Sequence, residues 1–287
     1  MKLEIYGAGQ AGEAARRWIP ADVDILCMID SDPARHGQQS GNLTILSPDD
    51  ALAKKPDTVM IAVLNQDAAV EIRNTLIDKG FTGRILDIID FRSLQDIRLA
   101  ALRMAADQIR ERNVPGAVAE LGVYRGDFAK EINREFPDRE LYLFDTFTGF
   151  DETDMTEESA VTGCRRFRDF SDTGTELVRD GLPFPENAVF VPGHFPESTA
   201  SMVSEPAEYA LISLDPDLYL PARNGLEYFW PRLAEGGMIL IHDYTSIQFP
   251  GVQKAVDEYC RQHGLYVVPL SDLHGTAVLI KQGGQHD

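Results

Sequence analysis

The sequence predicts an α/β protein built from two Rossmann-like domains, each with a mostly parallel sheet covered by helices on both faces. Apolar runs of strand length alternate with helix-length amphipathic segments through both halves of the 287 residues. Each half opens with an apolar strand that runs directly into a turn containing glycines. In each half an acidic residue ends the next strand, 23 residues after the first glycine of that turn.

The first domain, residues 1–90, has the predicted strands "LEIYG", "DILCMID", "TVMIAVL" and "RILDI". Helices are predicted over "AGEAARRWI", "DDALAKK" and "AAVEIRNTLIDKG", with a loop from the second strand to residue 48. The first turn reads G-x-G-x-x-G, whose glycines allow a tight turn and close approach of a phosphate to a helix N-terminus. An acid at the end of the second strand is placed to bind ribose hydroxyls. We therefore predict a nucleotide site formed by Gly7, Gly9, Gly12 and Asp30.

The ligand of this first site stays open at the level of sequence. A nicotinamide cofactor would make the chain an NAD(P)-dependent oxidoreductase, but the domain has no Tyr-x-x-x-Lys and no isolated His or Cys at a later strand end. The stretches "IYGAGQAG", "MIDSDPARHG" and "LIDKGFTGRIL" loosely resemble the nucleotide-sugar-binding domain found in front of some sugar acyltransferases. That resemblance implies a nucleotide or nucleotide-sugar as ligand. A module that keeps its glycines only for packing is the third alternative.

Residues 91–113 are predicted to form a linker helix. One side of "SLQDIRLAALRMAADQIRERN" is marked by Leu94, Ile97, Ala101, Met104, Gln108 and Ile109, with charges largely opposite. We expect this side to pack on the second domain, with a homodimer contact as the alternative.

The second domain, residues 114–287, restarts the pattern with "AVAEL", "ELYLFD", "NAVFVP", "YALISLD", "GMILIHD", "LYVVPL" and "GTAVLIK" as strands. Its first turn is E-x-G-x-x-x-G, and this glycine spacing differs from the dinucleotide form because the site need not hold a pyrophosphate. The difference favours S-adenosylmethionine (SAM), with Asp145 accepting from its ribose hydroxyls. The predicted cofactor residues in and after this turn are Glu120, Gly122, Tyr124, Gly126 and Asp145.

The last two strands are separated only by "SDLHG", so the final strand must run antiparallel. One reversed strand at the end of a parallel doubly wound sheet is typical of the class I SAM-dependent methyltransferase fold. The long segment 151–186 shows no clear periodicity, and we predict that it is a lid.

Acidic residues end two of these strands. Asp215 and Asp217 flank a proline in "SLDPDLY", and residues two apart in an extended segment point to the same side. Their repulsion needs a nearby positive charge, although a plain turn is the simpler interpretation of Asp-Pro-Asp alone. The next strand ends in "HDY", with His242 and Asp243.

Bulk composition excludes several partners. The formal net charge is −19 with no basic stripe, which argues against nucleic acid and anionic membranes. No apolar run is long enough to span a bilayer. Three scattered cysteines form neither a disulfide framework nor a metal motif, so we expect a cytoplasmic protein.

The stretches "ELGVYRGDFAKEI", "LYLFDTFTGF", "SLDPDLYLPARNGLEYFWPRLAEGGMILIHDY" and "PGVQKAVDEY" closely resemble the macrocin O-methyltransferase family, from about residue 96 to the C-terminus. The resemblance implies a SAM-dependent enzyme that methylates a sugar hydroxyl and normally requires Mg²⁺. It places cofactor contacts on Glu120, Gly122 and Asp145, and the general base on Asp217. Asp215 is expected both to bind the cofactor and to ligate the metal. The paired acids of the family, which complete the metal site, fall on His242 and Asp243.

The histidine departs from the family pattern, in which an aspartate is expected, and three interpretations follow. His242 ligates the metal, which would suit Mn²⁺ or Fe²⁺ as well as Mg²⁺; it lies behind Asp243; or it is itself the catalytic base without a metal. If "HDY" is a broken metal site, the chain is a non-catalytic protein that binds SAM or a nucleotide.

Overall fold

The computed structural model describes residues 1–165 and 167–283. Residue 166 of the predicted lid and residues 284–287 of the predicted second domain lie outside the described residues. The chain divides into two compact units, Met1–Ile97 with Ser271–His274, and Arg98–Leu270 with the segment from Gly275 onward. The boundary therefore falls inside the predicted linker.

The first unit contains, among its described residues, a six-stranded sheet in the order β3-β4-β2-β1-β5-β6. All neighbouring strands are parallel except β3 and β4. The strands are β1 (Lys2–Tyr6), β2 (Asp24–Ile29), β3 (Gln39–Ser40), β4 (Leu43–Leu46), β5 (Thr58–Ile61) and β6 (Arg84–Asp87). The helices are α1 (Gln10–Trp18), α2 (Pro48–Leu52), α3 (Gln66–Asp78) and α4 (Ile88–Leu94).

The loop before residue 48 and the linker both differ from prediction. The loop expected before residue 48 contains β3 and β4, because Met28 of β2 pairs with Ile45 through a long-range contact that no local pattern reveals. The single linker helix is wrong: α4 ends at Leu94, Gln95 is extended, and α5 runs over Ile97–Glu111.

The predicted inward side of the linker is also largely wrong. On α5 the buried residues include Leu102, Ala105 and Ala106, whereas Met104 is 65% exposed. Of the predicted set, Ile109 is buried and Leu94 is exposed. Alanines and leucines alternate around α5, so its apolar residues do not define one face uniquely.

The second unit contains, within the described residues, a seven-stranded sheet in the order β12-β13-β11-β10-β7-β8-β9. The strands are β7 (Ala117–Leu121), β8 (Leu141–Asp145), β9 (Ala188–Pro192), β10 (Tyr209–Leu214), β11 (Leu233–Ile241), β12 (Val268–Pro269) and β13 (Ala277–Ile280). The helices after α5 are α6 (Asp127–Glu135), α7 (Glu152–Thr162), α8 (Thr175–Gly181), α9 (Tyr219–Arg232) and α10 (Pro250–His263). The last strand, β13, runs antiparallel to both β11 and β12, which confirms the prediction.

The predicted lid contains two helices, α7 and α8, that its sequence did not reveal. The buried residues of α7 are Asp154 and Glu158, so the face that packs inward is acidic. Hydrophobic periodicity cannot detect a helix whose buried positions are carboxylates.

Backbone strain marks the carboxyl edge of the second sheet. Among the described residues other than glycine, positive φ occurs just after β7, β8, β10 and β11, at Tyr124, Phe147, Asp217 and Asp243. Left-handed backbone is costly for tyrosine and phenylalanine, and such strain gathers at functional sites. This edge is therefore the candidate site.

Candidate active site

The glycine turn after β7 is shaped by close backbone contact. Gly122 has φ +85°, and a Cβ there would lie 2.0 Å from the carbonyl oxygen of Asp215. Gly126 has φ +80°, and its Cβ would meet Val178 at 2.7 Å. Both glycines thus allow the turn to approach other parts of the unit, and Gly122 brings it beside the end of β10.

Asp145, at the end of β8, organises this turn. Its Oδ2 accepts hydrogen bonds from the backbone N–H groups of Val123 and Tyr124, at 2.7 and 2.8 Å, and its Oδ1 accepts from that of Phe147 at 2.7 Å. The residue predicted to bind ribose therefore also holds the strained backbone of the turn. The Thr146 hydroxyl is a fourth donor within reach, 3.4 Å from Oδ1, so a ligand hydroxyl would compete with it for the remaining acceptor position.

Glu120 is a buried carboxylate within β7. Its Oε1 accepts from the Ser213 hydroxyl at 3.1 Å, and its Oε2 has no hydrogen-bond partner within the described part of the chain. Burial raises the pKa of Glu120 to about 8, although the nearby Arg98 guanidinium opposes the rise. A cationic group in reach would stabilise the ionised form, so this side chain fits the ammonium group of SAM.

Three carboxylates meet at the ends of the adjacent strands β10 and β11. Oxygens of Asp215, Asp217 and Asp243 all lie within 4.8 Å of one another. Burial raises the pKa of Asp217 well above its usual range, and the neighbouring Asp215 and Asp243 raise it further. Carboxylate oxygens are the ligands that Mg²⁺ prefers, so this donor set fits a divalent cation.

Two cationic side chains flank this acid cluster. Arg98 of α5 places Nη2 2.9 Å from Oδ2 of Asp215, and His242 places Nδ1 2.8 Å from its Oδ1. The same Nδ1 lies 3.0 Å from Oδ2 of Asp243. Burial alone would lower the pKa of His242, but Asp215 and Asp243 outweigh it and raise the pKa to about 10. For Asp215 the directions are reversed: burial alone would raise its pKa, but His242 and Arg98 hold the pKa below its ordinary value.

Arg98 is the site residue that the sequence analysis missed. It stands in the first turn of α5, 117 residues before Asp215 along the chain. Its guanidinium also lies 3.7 Å from the centre of the Phe128 ring, which fixes its orientation. No local motif signals this pairing, because a lone arginine at the start of an amphipathic helix resembles any surface charge.

Lid residues lie directly over the glycine turn. The Tyr124 hydroxyl donates to Asp172 Oδ1 at 2.6 Å, and Arg125 Nη1 lies 3.1 Å from Asp172 Oδ2. The Tyr124 ring also packs edge-on against Phe170. Both the hydroxyl and the ring of Tyr124 therefore contact the lid segment.

The predicted site of the first unit is formed by the turn after β1. Gly7 has φ +113°, and a Cβ on Gly12 would lie 1.9 Å from the Gly7 carbonyl oxygen, whereas a Cβ on Gly9 would meet nothing within 4 Å. Asp30 Oδ2 accepts from the Ala8 N–H at 3.2 Å and lies 3.4 Å from Nη1 of Arg35. Gly7 and Gly12 allow close packing of the turn, whereas Gly9 borders open space. Arg35 places a positive charge beside Asp30 that the sequence analysis did not include.

Comparison with known proteins identifies the family. The family described as Macrocin-O-methyltransferase (TylF) matches residues 51–282, most of the chain. The chain belongs to this family. The match begins at residue 51, earlier than the predicted start near residue 96, so it includes part of the first unit.

Relatives of this family member are O-methyltransferases. Mycinamicin III 3''-O-methyltransferase of Micromonospora griseorubida is 31% identical over 183 residues, covering 58% of this chain and 69% of the relative. The 8-demethyl-8-(2,3-dimethoxy-alpha-L-rhamnosyl)-tetracenomycin-C 4'-O-methyltransferase of Streptomyces olivaceus is 28% identical over 194 residues, covering 63% and 71%. The structure of the O-methyltransferase NovP matches with a TM-score of 0.54 and 25% identity, over 65% of this chain and 80% of NovP.

This protein is thus an enzyme that transfers a methyl group from SAM to oxygen. Its second unit has the α/β fold expected of that class. No helix among the residues that the structure describes is both long and apolar enough to cross a bilayer.

Proposed function

We propose that this O-methyltransferase methylates a sugar hydroxyl of a small-molecule precursor and uses a divalent cation bound at the acid cluster. The observation that carries the proposal is the gathering of Asp215, Asp217 and Asp243 beside the glycine turn. The sugar acceptor is supported by the Streptomyces olivaceus relative, whose name places its methylation on a rhamnosyl compound.

The cation would be held by Asp215 and Asp243, the carboxylates at the two strand ends. When bound, a divalent cation offsets carboxylate repulsion and lowers the pKa of an oxygen that coordinates it. His242 would orient this pair, because its Nδ1 contacts both carboxylates. These contacts favour the interpretation that His242 lies behind the ligands.

Asp217 would be the general base. Burial and its acidic neighbours raise the pKa of Asp217, and the bound cation would counter that repulsion and favour the ionised carboxylate. As the acceptor oxygen forms its bond to the methyl carbon, the S–CH₃ bond of SAM breaks and the hydroxyl proton moves to the Asp217 carboxylate. A sugar hydroxyl is scarcely acidic near neutral pH, so a positioned proton acceptor contributes typically about 10²–10⁴-fold to the rate. The products are the methyl ether and S-adenosylhomocysteine. The lid segment over the glycine turn would exclude water during this transfer.

The test is a methyl-transfer assay with a panel of glycosides and nucleotide-sugars, run with and without a chelator. We expect transfer to at least one sugar acceptor, loss of activity with chelator, and recovery with added Mg²⁺ or Mn²⁺. Transfer that is unaffected by exhaustive chelation would contradict the proposed dependence on a cation. Transfer only to non-sugar hydroxyls would contradict the proposed sugar acceptor.

Replacing His242 by aspartate separates a role in orienting the ligands from a role as the catalytic base. If His242 orients the ligands, His242→Asp removes the Nδ1 donor and adds a fourth acid, so we expect the apparent Mg²⁺ affinity to change while turnover at saturating Mg²⁺ persists. A base role predicts a loss of about 10²-fold or more that no metal restores. Metal titrations of kcat for the two proteins distinguish these outcomes.

We also propose that the first unit binds a nucleotide or nucleotide-sugar at Gly7, Gly9, Gly12 and Asp30. The open space at Gly9 and the nearby Arg35 guanidinium support a phosphate-bearing ligand. Titration calorimetry with UDP-sugars, UDP and NADH should give heat for one of them that Arg35→Ala weakens. No heat with any of the three would remove this proposal. Hydride turnover with NADH would instead favour the oxidoreductase alternative for this unit.

A further inference from the structure

Glu158 of α7 is a buried acid that joins three helices of the second unit. The residue is 1% exposed, and its two carboxylate oxygens accept from the first turns of two other helices. Oε2 accepts from the Tyr219 N–H of α9 at 2.8 Å, and Oε1 accepts from the Gly251 N–H of α10 at 3.2 Å. The N-terminal N–H groups of a helix lack partners within the helix, and negative charge there is favourable.

The two helices depend on this carboxylate for their caps. The residues that precede them, Leu218 and Phe249, make no side-chain cap hydrogen bond. The site is also shaped around Glu158, because a Cβ on Gly251 would lie 1.9 Å from Glu158 Oε2. The glycine therefore leaves the space that the carboxylate occupies.

Each of these two helices follows a turn that carries one acid of the cluster, Asp217 before α9 and Asp243 before α10. Helix α9 begins two residues after Asp217, whose φ is +61°, and the intervening Leu218 N–H donates to the Pro216 carbonyl at 2.7 Å. Glu158 therefore holds the point at which the Asp217 turn ends.

The Asp243 turn leads to α10 through a short series of hydrogen bonds. The Ser246 N–H donates to the Asp243 carbonyl at 3.0 Å, and the Ser246 hydroxyl accepts from the Phe249 N–H at 3.2 Å. Phe249 directly precedes α10, where Glu158 binds Gly251. One carboxylate thus fixes the far end of both turns that carry the acid cluster.

The carboxylate comes from the lid segment, and α7 has a second buried tie. Asp154, one turn before Glu158, lies 3.1 Å from Nε2 of His194 in the loop after β9. Both buried side chains of α7 therefore bind other segments of the unit, Asp154 a loop histidine and Glu158 the first turns of α9 and α10.

We propose that Glu158 is a positioning residue that sets the spacing of Asp217 and Asp243, and that docking of α7 thereby prepares the acid cluster. This inference rests on the proposed function for its catalytic consequence. A misplacement of about 1 Å can cost about 10²-fold in rate, so loss of the double cap should affect turnover more than SAM binding. A purely structural cap would lower stability and leave kcat unchanged.

The test compares Glu158→Gln with Glu157→Gln, which removes the neighbouring acid on the same helix. The glutamine keeps the size of the side chain but offers one acceptor oxygen and an NH₂ group to two N–H donors. We expect kcat to fall about 10- to 100-fold in Glu158→Gln, with KM for SAM within about twofold of the unmodified protein. Peptides containing Tyr219 and Gly251 should exchange amide hydrogen faster. Glu157→Gln should match the unmodified protein in all three readouts.

A second variant leaves the glutamate in place. Gly251→Ala should displace the carboxylate and give the same loss of kcat with unchanged KM for SAM. If kcat is unchanged in both variants while amide exchange quickens, Glu158 is only a cap and the inference is overturned. Unchanged amide hydrogen exchange in Glu158→Gln would show that Glu158 does not cap the two helices either.

Failure of the proposed function is distinguishable from failure of this inference. If the unmodified protein transfers no methyl group to any sugar, the proposed function fails, and amide exchange still tests the positioning role. SAM with Mg²⁺ should then slow exchange of the Tyr219 and Gly251 peptides in the unmodified protein and not in Glu158→Gln. Equal protection in the two proteins would contradict the inference.

Discussion

Asp217→Asn is expected to lower kcat for methyl transfer by about 10²–10⁴-fold, because asparagine keeps the shape of the side chain but cannot accept the hydroxyl proton. This corresponds to about 3–5 kcal/mol of transition-state stabilisation. The variant should fold normally, since the substitution removes one of three mutually repelling carboxylates. Single-turnover rates and SAM affinity, measured side by side, check the expectation.

A matched control and a contrary outcome are available for this variant. Asp138→Asn makes the same chemical change at an exposed position of the second unit and should leave kcat unaltered. If Asp217→Asn retains more than about a tenth of the activity, Asp217 is not the base, and His242 becomes the residue to examine.

Asp215→Ala is expected to abolish measurable turnover and to destabilise the second unit. The side chain of Asp215 is bonded to Arg98 and His242, so its loss leaves two largely buried cations without their shared partner. Removing one member of a buried ion pair costs about 3–5 kcal/mol. Activity, together with denaturant unfolding of the whole protein, measures both effects.

Arg98→Met separates the two consequences of losing Asp215. This variant breaks the same ion pair from the other side and keeps all three acids, so we expect a comparable loss of stability but retained Mg²⁺-dependent turnover. Equal losses of activity in the two variants, at matched fractions of folded protein, would show that Asp215 acts only through folding. Activity that survives in Asp215→Ala would remove it from the proposed cation site.

The sequence was most informative where local pattern and chemistry coincide. The glycine turns, the antiparallel β13 and the acids that end β10 and β11 follow from strand periodicity and from the rule that parallel strands share a carboxyl edge. The closeness of Asp215 and Asp217 could be predicted from their spacing, whereas the addition of Asp243 was implied by the resemblance to the family.

The features that sequence analysis missed depend on contacts between distant segments. Arg98 meets Asp215 across more than a hundred residues, and β4 pairs with β2 through a long-range register. Helix α7 escaped detection because its buried residues are acids that bind helix N-termini and a histidine. Hydrophobic patterning reports apolar burial, so it does not detect elements that are held by buried charge.

The central claim is that the acids of β10 and β11 gather around a cation beside the methyl group of SAM. A crystal structure of the full chain with bound SAM and Mn²⁺, phased for the anomalous signal of manganese, tests it most directly. We predict one anomalous peak in contact with carboxylate oxygens of Asp215 and Asp243, on the same side as the SAM methyl group, with Asp217 facing the acceptor space. A fully occupied SAM site with no peak at these carboxylates, or with the carboxylates turned away from the methyl group, would contradict it.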